Sequence, residues 1–185
     1  MKRCKWVTED PLYIEYHDTQ WGVPLHDDQE LFEMLILEGA QAGLSWITIL
    51  KKRTHYKKLF HNFDIHKVAS MTDSDLEKIL LDPGIIRNRL KVFAARKNAL
   101  AALKLIKEAG SLDHYFWSWV DHTTIDNAFK THEEIPASTP LSEKISKDLK
   151  KRGFSFVGPT IIYAYMQAIG MVNDHTTDCF RHKEC

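Results

Sequence analysis

Four residues at the two ends of the chain have the chemistry to hold a metal ion: Cys4 and His17 near the start, His175 and Cys179 near the end. The spacing His175-x-x-x-Cys179 predicts both side chains on one face of a helical turn, a workable half of a tetrahedral zinc site. Cys4 and His17 are the other half, and closing the site would tie the two termini together. His182 and Cys185 compete for that second half. Ten His and three Cys make accidental spacings easy, so each residue taken singly is more often unligated.

A second constellation surrounds one carboxylate. Trp6, Tyr13, Tyr16, Trp21 and Trp46 fall in the first quarter of the chain around Glu38, with Tyr13 and Tyr16 spaced to share a helix face. Glu38 ends the apolar run from Phe32 to Leu37 and precedes Gly39-Ala40-Gln41-Ala42-Gly43, which predicts a half-buried helix end. Aromatic residues usually build cores, and a glutamate at a helix end is ordinarily solvated. Together they supply something else: stacking faces and an edge-reading acceptor for a planar base. Ring faces also attract a cationic base, at roughly 0.5–2 kcal/mol per good contact. Leu44, directly after Gly43, is an apolar side chain at a loop tip, suited to filling a gap opened in a duplex.

The third feature is basic. Leu76–Leu81, Asp82-Pro83-Gly84-Ile85-Ile86 and Arg87–Lys97 have the form helix, glycine hairpin, helix, and no acidic residue occurs from Arg87 to Lys97. Free amides at a helix N-terminus point at an anion and suit a phosphate. An ordinary helical hairpin with a solvated basic face has the same pattern. Further basic clusters at Lys51-Lys52-Arg53 with Lys57-Lys58, and at Lys150-Lys151-Arg152, suggest a positive face for a backbone-binding partner.

The elements that must position these groups read as helices nearly throughout. Asp10-Pro11 starts one, Asp27 with Glu30 makes a capping-box pattern for the next, and Ser45 caps another to about Phe60. Short helices follow at Ile65–Met71 and Ser74–Leu80, then a long one from about Arg87 to Ala109, and Ser111 caps one to Val120. Thr139-Pro140 opens a helix to Lys151, and Pro159 opens the apolar one ending at Gly170. Thr123–Ser138 is the long irregular connection, and no alternating stretch demands a sheet, so the fold class is all-α.

Composition fits an ordinary globular chain of 185 residues, 44% hydrophobic and 27% charged. Lys plus Arg equals Asp plus Glu at 25 each, so net charge does not announce a nucleic-acid partner and only local clustering can. The odd cysteine count is not a disulfide framework, and no secretory or membrane segment is expected: Phe154–Val172 is interrupted by Gly158-Pro159 and Gln167. A cytoplasmic protein with free thiols, and no membrane partner, is the expectation.

Read together, these segments resemble the constitutive bacterial 3-methyladenine DNA glycosylases. The phrases that carry the resemblance are Cys4-x-Trp6, Asp10-Pro11-Leu12-Tyr13-Ile14, Tyr16-His17-Asp18, Trp21-Gly22-Val23-Pro24 and Leu31-Phe32-Glu33-Met34. Leu37-Glu38-Gly39, Gln41-Ala42-Gly43-Leu44-Ser45-Trp46-Ile47-Thr48, Leu50-Lys51-Lys52-Arg53 and Gly84-Ile85-Ile86-Arg87 continue it. Leu149-Lys150-Lys151-Arg152-Gly153-Phe154, Phe156-Val157-Gly158 and Val172-Asn173-Asp174-His175 complete it, while Asn98–Ser138 and the tail after Cys179 depart.

The resemblance implies a helix-hairpin-helix DNA glycosylase fold, a single unit over residues 1–185. A hairpin part lies near 64–110 and a zinc-binding part is built by both termini. It implies one structural zinc on Cys4, His17, His175 and Cys179. The flipped base would meet Glu38 and stack on Trp46, with Tyr16 and Trp6 close by and Tyr13 and Trp21 in the same wall. Gln41, Gly43 and Leu44 would sit at the opened duplex, beside Lys51 and Lys52. Gly84, Ile85 and Arg87 would hold a phosphate. The expected partners are double-stranded alkylated DNA and free 3-methyladenine as product, and the chain is expected to be a monomer.

Many related hairpin glycosylases carry a catalytic Asp a short way beyond the hairpin; here none follows Gly84 until Asp113. Methylation at N3 leaves adenine cationic in DNA and makes the departing base neutral, so little proton donation is needed. No lysine stands out as a Schiff-base nucleophile, which implies base removal without strand cleavage. The competing reading is a non-catalytic, zinc-stabilised module that only recognises damaged DNA. A third makes the zinc catalytic, as in a base deaminase, but the combined pattern of that chemistry, His-x-Glu together with Cys-x-x-Cys, is missing.

Overall fold

The computed structural model describes residues 1–185. Its architecture is helical: α1 (Pro11–Thr19), α2 (Asp28–Gln41), α3 (Trp46–Leu59), α4 (Ile65–Ser70), α5 (Asp73–Ile79), α6 (Arg89–Ala109), α7 (Leu112–Ser118), α8 (Pro140–Lys151) and α9 (Pro159–Ala168). The starts follow from side-chain caps. Asp10 accepts from the Leu12 amide ahead of Pro11, Asp27 from Gln29 and Glu30, Ser111 from His114 and Thr139 from Ser142. No helix is long and apolar enough to cross a membrane.

Helix α2 is the centre. Every residue from Leu31 to Ala40 is buried, as a helix apolar on all sides requires, and it packs against α3, α6, α7 and α9. Glu33 and Glu38 are the two acids carried into this interior. Two expectations need correction here. Gly39 does not end the helix, which runs on to Gln41, and Glu38 is 4% exposed rather than half-buried. Gly39 meets a packing need: a Cβ there would lie 3.1 Å from the Phe156 Cβ.

The remaining helices wrap this one by ordinary patterning. Helix α8 buries Ser142, Ile145, Ser146 and Leu149, a stripe at helical spacing, and Ser146 donates its hydroxyl to the Val157 carbonyl at 2.6 Å. Alanines 94, 95, 99, 101 and 102 along α6 are buried and let it pack closely on α4 and α7. Asn88 is the N-cap of α6, not its second residue, and its side chain accepts from the Lys91 amide.

A small sheet was not expected. β1 (Ile125–Asp126) pairs in parallel with β2 (Val172–Asn173), so the otherwise irregular 123–138 segment is strapped to the C-terminal segment. The Thr177 amide donates to the Phe129 carbonyl at 2.8 Å, and Lys5 pairs with Glu133 farther along the strap. The termini are joined as well: the Phe180 amide donates to the Lys2 carbonyl, Arg3 clamps Asp18, and Lys2 pairs with Asp178.

Candidate active site and metal centre

One cavity of about 370 Å³ is bounded by α1, the end of α2, the start of α3, the strap and α9. Trp6, Tyr13, Tyr16, Trp21, Glu38, Gln41 and Trp46 all line it, so the structure brings together every aromatic singled out in the sequence. The rings brace one another. Trp6 lies 5.0 Å from both Tyr13 and Trp21, and Tyr16 lies 5.4 Å from Trp46 at 49°. Such tilted contacts fix ring planes without stacking them shut.

The polar groups here lack partners. Trp6 Nε1, Tyr16 Oη and Trp46 Nε1 are buried with no hydrogen bond. Glu38 enters no hydrogen bond or ion pair, and burial alone pushes its carboxyl up to about 8. Buried polar atoms are nearly always satisfied in a finished core, so several orphans around one cavity point to a ligand that satisfies them. Three N–H or O–H donors, one carboxylate and ring faces suit a planar heterocycle bearing positive charge.

The far wall was missed: His132, Ile135, Pro136 and Ala137 come from the strap, and Thr160, Tyr163, Ala164 and Gln167 from α9. A signal existed on α9. Thr160, Ala164 and Gln167 form a small and polar stripe at helical spacing on an otherwise apolar helix.

A larger cleft, about 540 Å³, lies on the other side of Tyr16 against Glu15, Gln20, Arg53 and Lys57. Its basic side chains are already used: Arg53 reaches buried Glu33 at 2.6 Å and Lys57 reaches it at 3.2 Å. The smaller cavity is therefore the better candidate for chemistry.

Beside it, Gly43 and Leu44 sit in the exposed loop between α2 and α3, with Leu44 41% exposed. Lys91, unremarked in the sequence, pins this loop by donating Nζ to the carbonyls of Ala40 (2.8 Å) and Ala42 (2.6 Å). An ammonium in the first turn of α6 is misplaced for that helix but well placed at the carbonyl end of α2.

The turn between α5 and α6 holds Gly84, whose role is space: a Cβ there would fall 2.2 Å from His55 Cδ2. Its own amide is not free, since it donates to Asp82 Oδ1 at 2.6 Å, and the Ile86 amide donates to Tyr56 Oη. The amides of Ile85 and Arg87 take no partner within the chain. The Ile85 side chain is in the core, so only its backbone is available, whereas Arg87 is exposed and unpaired. Lys52 donates to the Pro83 carbonyl beside them at 2.8 Å. The basic clusters are less free than their composition suggests: Lys51 pairs with Asp10, Arg53 and Lys57 with Glu33, and Arg152 with Glu108 and Asp148.

At the joined termini, Cys4, His17, His175 and Cys179 are buried with their ligating atoms within 4.8 Å of one another. Cys4 Sγ lies 3.5 Å from His175 Nδ1, and Cys179 Sγ lies 3.4 Å from His17 Nε2 and 3.6 Å from His175 Nδ1. Zinc bonds of about 2.3 Å to sulfur and 2.0–2.1 Å to nitrogen at tetrahedral angles separate such atoms by about 3.5 Å. The outward nitrogens are engaged: His17 Nδ1 meets Asp18 at 2.7 Å and His175 Nε2 meets the Trp21 carbonyl at 3.0 Å. Those bonds leave the inward nitrogens as lone pairs, the arrangement metal-binding histidines adopt.

Burial lowers His17 and brings His175 down to about 4, in both cases favouring the neutral imidazole, and it raises Cys4 to about 12. A divalent cation reverses the thiol's preference. One detail differs from expectation. His175 and Cys179 sit on a tight turn, with the Cys179 amide donating to the Thr176 carbonyl at 2.7 Å, and not on a helix. The rivals are elsewhere: His182 bonds the His175 carbonyl, and Cys185 accepts from Arg181.

The family described as methyladenine glycosylase matches residues 6–182. DNA-3-methyladenine glycosylase 1 of Escherichia coli (strain K12) is 52% identical over 179 residues, 97% of this chain and 96% of that one. DNA-3-methyladenine glycosylase of Haemophilus influenzae is 48% identical, with 96% of each chain covered. A solved variant of 3-methyladenine DNA glycosylase I in complex with 3-methyladenine superposes with a TM-score of 0.94 at 37% identity, covering 97% of each chain.

Proposed function

The chain belongs to the methyladenine glycosylase family, and from that premise we propose that it excises 3-methyladenine from alkylated DNA by hydrolysing the bond from base to sugar. The observation that carries the reading is the single cavity in which five braced aromatic rings surround a buried, unpartnered Glu38. On this reading the damaged nucleotide leaves the stack at a cost of a few kcal/mol, least for a damaged base, and enters the cavity. Trp46 and Tyr16 offer it ring faces, with Trp6, Tyr13 and Trp21 behind them. Glu38 accepts from its edge and favours its positive charge.

The electron pair of the glycosidic bond passes to the base and neutralises it. Water adds at the sugar carbon and loses a proton to solvent. No strong acid is needed, which fits the position of Asp113, held by His26 away from the cavity. Glu38 thus acts by electrostatics on the reacting base.

The DNA contacts form the second part of the proposal. Leu44, with Gln41 and Gly43, fills the space the base vacates, and Lys91 holds that loop. Around Gly84, the α5–turn–α6 unit acts as a helix-hairpin-helix element in which the Ile85 and Arg87 amides, the Arg87 side chain and Lys52 face a phosphate. Lys51 adds less, since Asp10 already neutralises it. Arg87→Ala and Lys52→Ala are each expected to weaken duplex binding severalfold. Each should also reduce the slope of log affinity against log salt by about one. Filter binding across a salt series checks this, and an unchanged slope in both would place the phosphates elsewhere.

Cys4, His17, His175 and Cys179 would hold one structural zinc, whose charge stabilises the two thiolates and closes the chain ends together. Its position also orders the cavity. Trp6 follows Cys4 by two residues, Tyr16 adjoins His17, and the Trp21 ring lies 4.6 Å from that of His175. The same reading makes the chain one monomeric, cytoplasmic unit acting on double-stranded DNA, with the hairpin part in 64–110 and the zinc part at both termini.

Incubation with methylated duplex DNA and identification of what is released tests the proposal. Free 3-methyladenine and an intact strand are expected. A changed base left in the strand would mean deamination, and binding without product would mean a recognition module.

A further inference from the structure

Asp174 is 1% exposed at the end of β2, and it makes no ion pair. A buried carboxylate is tolerated only when its oxygens are satisfied. Here three neutral donors do so: Tyr163 Oη at 2.6 Å and Gln167 Nε2 at 2.7 Å reach one oxygen, and Asn127 Nδ2 at 2.7 Å reaches the other. Tyr163 and Gln167 are four residues apart on α9, so they share a face, and both also line the aromatic cavity.

The consequence concerns the carboxamide. A carboxylate accepts and does not donate, so the nitrogen of Gln167 must face Asp174 and the carbonyl oxygen must face away. That oxygen takes no hydrogen bond within the chain and is not sealed from solvent. Rotating the amide would turn its oxygen toward Asp174 and lose a charge-assisted hydrogen bond, so the acceptor is locked in place. The cavity's orphan donors belong to Trp6, Tyr16 and Trp46, and Glu38 is its one carboxylate. Gln167 adds a second acceptor.

We propose that Gln167 is a specificity residue whose locked carbonyl oxygen accepts a hydrogen bond from the exocyclic amino group of the bound base. The inference rests on the glycosylase reading above. Adenine carries an amino group at position 6, where guanine and hypoxanthine carry a carbonyl oxygen. A carbonyl opposite Gln167 Oε1 sets acceptor against acceptor, and the amide cannot turn to relieve it. The site rejects the wrong base by repulsion as well as selecting the right one by attraction. Asp174 is a positioning residue, acting through Gln167.

The test is a cycle of ligand and side chain. Tryptophan fluorescence titrations measure the affinities of wild type and Gln167→Met for free 3-methyladenine, for 3-methylpurine, which lacks the amino group, and for 3-methylhypoxanthine. Wild type is expected to prefer 3-methyladenine over both by tenfold or more. Gln167→Met should narrow both preferences by about tenfold, with the loss confined to 3-methyladenine. An unchanged preference in Gln167→Met, with all three affinities falling together, would overturn the proposal and leave Gln167 a wall residue. So would a wild type that binds 3-methylhypoxanthine as tightly as 3-methyladenine, a result that needs no variant to fold. A wild type that binds none of the three bases would overturn the glycosylase reading, and this inference with it.

Discussion

Glu38→Gln is expected to slow single-turnover excision of 3-methyladenine by about two to three orders of magnitude while leaving the protein folded. The substitution keeps the shape of the side chain and most of its hydrogen-bonding reach. What it removes is the charge. Glu38 is buried on α2 without a cation, and burial lifts its carboxyl from 4.5 to about 8. The folded protein therefore holds that proton between those two values while the unfolded chain does not. Stability contributed by the proton is complete below 4.5, declines as pH rises toward 8 and is flat beyond. Glutamine has no such slope, so Glu38→Gln should melt no lower than wild type at pH 7 and higher at pH 9.

Activity runs the opposite way. A cationic base favours the ionised carboxylate, so excision at low enzyme concentration should rise with pH and level off near 8, the value of the free protein. With DNA saturating, the rise should move to lower pH, because the bound cation favours ionisation. In Glu38→Gln both profiles should be flat across this range. Wild-type rates in the variant, or a pH profile that survives the substitution, would mean that the charge is not used.

How much of this site the sequence discloses depends on the kind of signal each residue leaves. Aromatic rings and a carboxylate placed within one stretch are visible by type alone, and the structure gathers them into one cavity. Capped helices are equally legible, because Asp10-Pro11 or Thr139-Pro140 is a local signal with a local cause. The strap is not legible, because Thr123–Ser138 has no period and its β pairing is two residues long, too short for alternation to register. Gly39 misleads for a different reason. A glycine near a helix end usually marks a stop, but here α2 continues and the missing Cβ admits Phe156, a contact 117 positions away. The turn carrying His175 and Cys179 misleads in the same way, since i and i+4 spacing is met by two different backbones. Lys91 and Gln167 left a trace of type but not of role, one as a further basic residue of the hairpin and the other as part of a polar stripe: each acts through a tertiary partner, the α2 carbonyls for one and Asp174 for the other.

The second large effect is expected at the joined termini, where Cys179→Ala should lose bound zinc and lower the melting temperature by roughly 6–20 °C. Metal binding of this kind contributes folding free energy directly; apparent values of about 10–16 kcal/mol are typical of small zinc domains, against a whole-domain stability of about 5–15 kcal/mol. This chain also has a large apolar core, running from Cys4 to Cys179, so the variant should remain folded rather than collapse. A loss of about 3–5 kcal/mol is the expectation, and for a chain of this length each kcal/mol moves the midpoint by about 2–4 °C.

The effect should also reach the cavity, because Trp6 and Tyr16 are anchored by their neighbours Cys4 and His17. Affinity for 3-methyladenine should fall together with zinc content. A control lies close by: Cys185 is half-buried against Arg181 and outside the cluster, so Cys185→Ala should keep its zinc, its melting temperature and its affinity for base. Elemental analysis beside thermal melts and base titration reads all of these outcomes. Zinc-free wild-type protein that melts at its usual temperature, or unchanged zinc in Cys179→Ala, would show that the four side chains pack together for another reason.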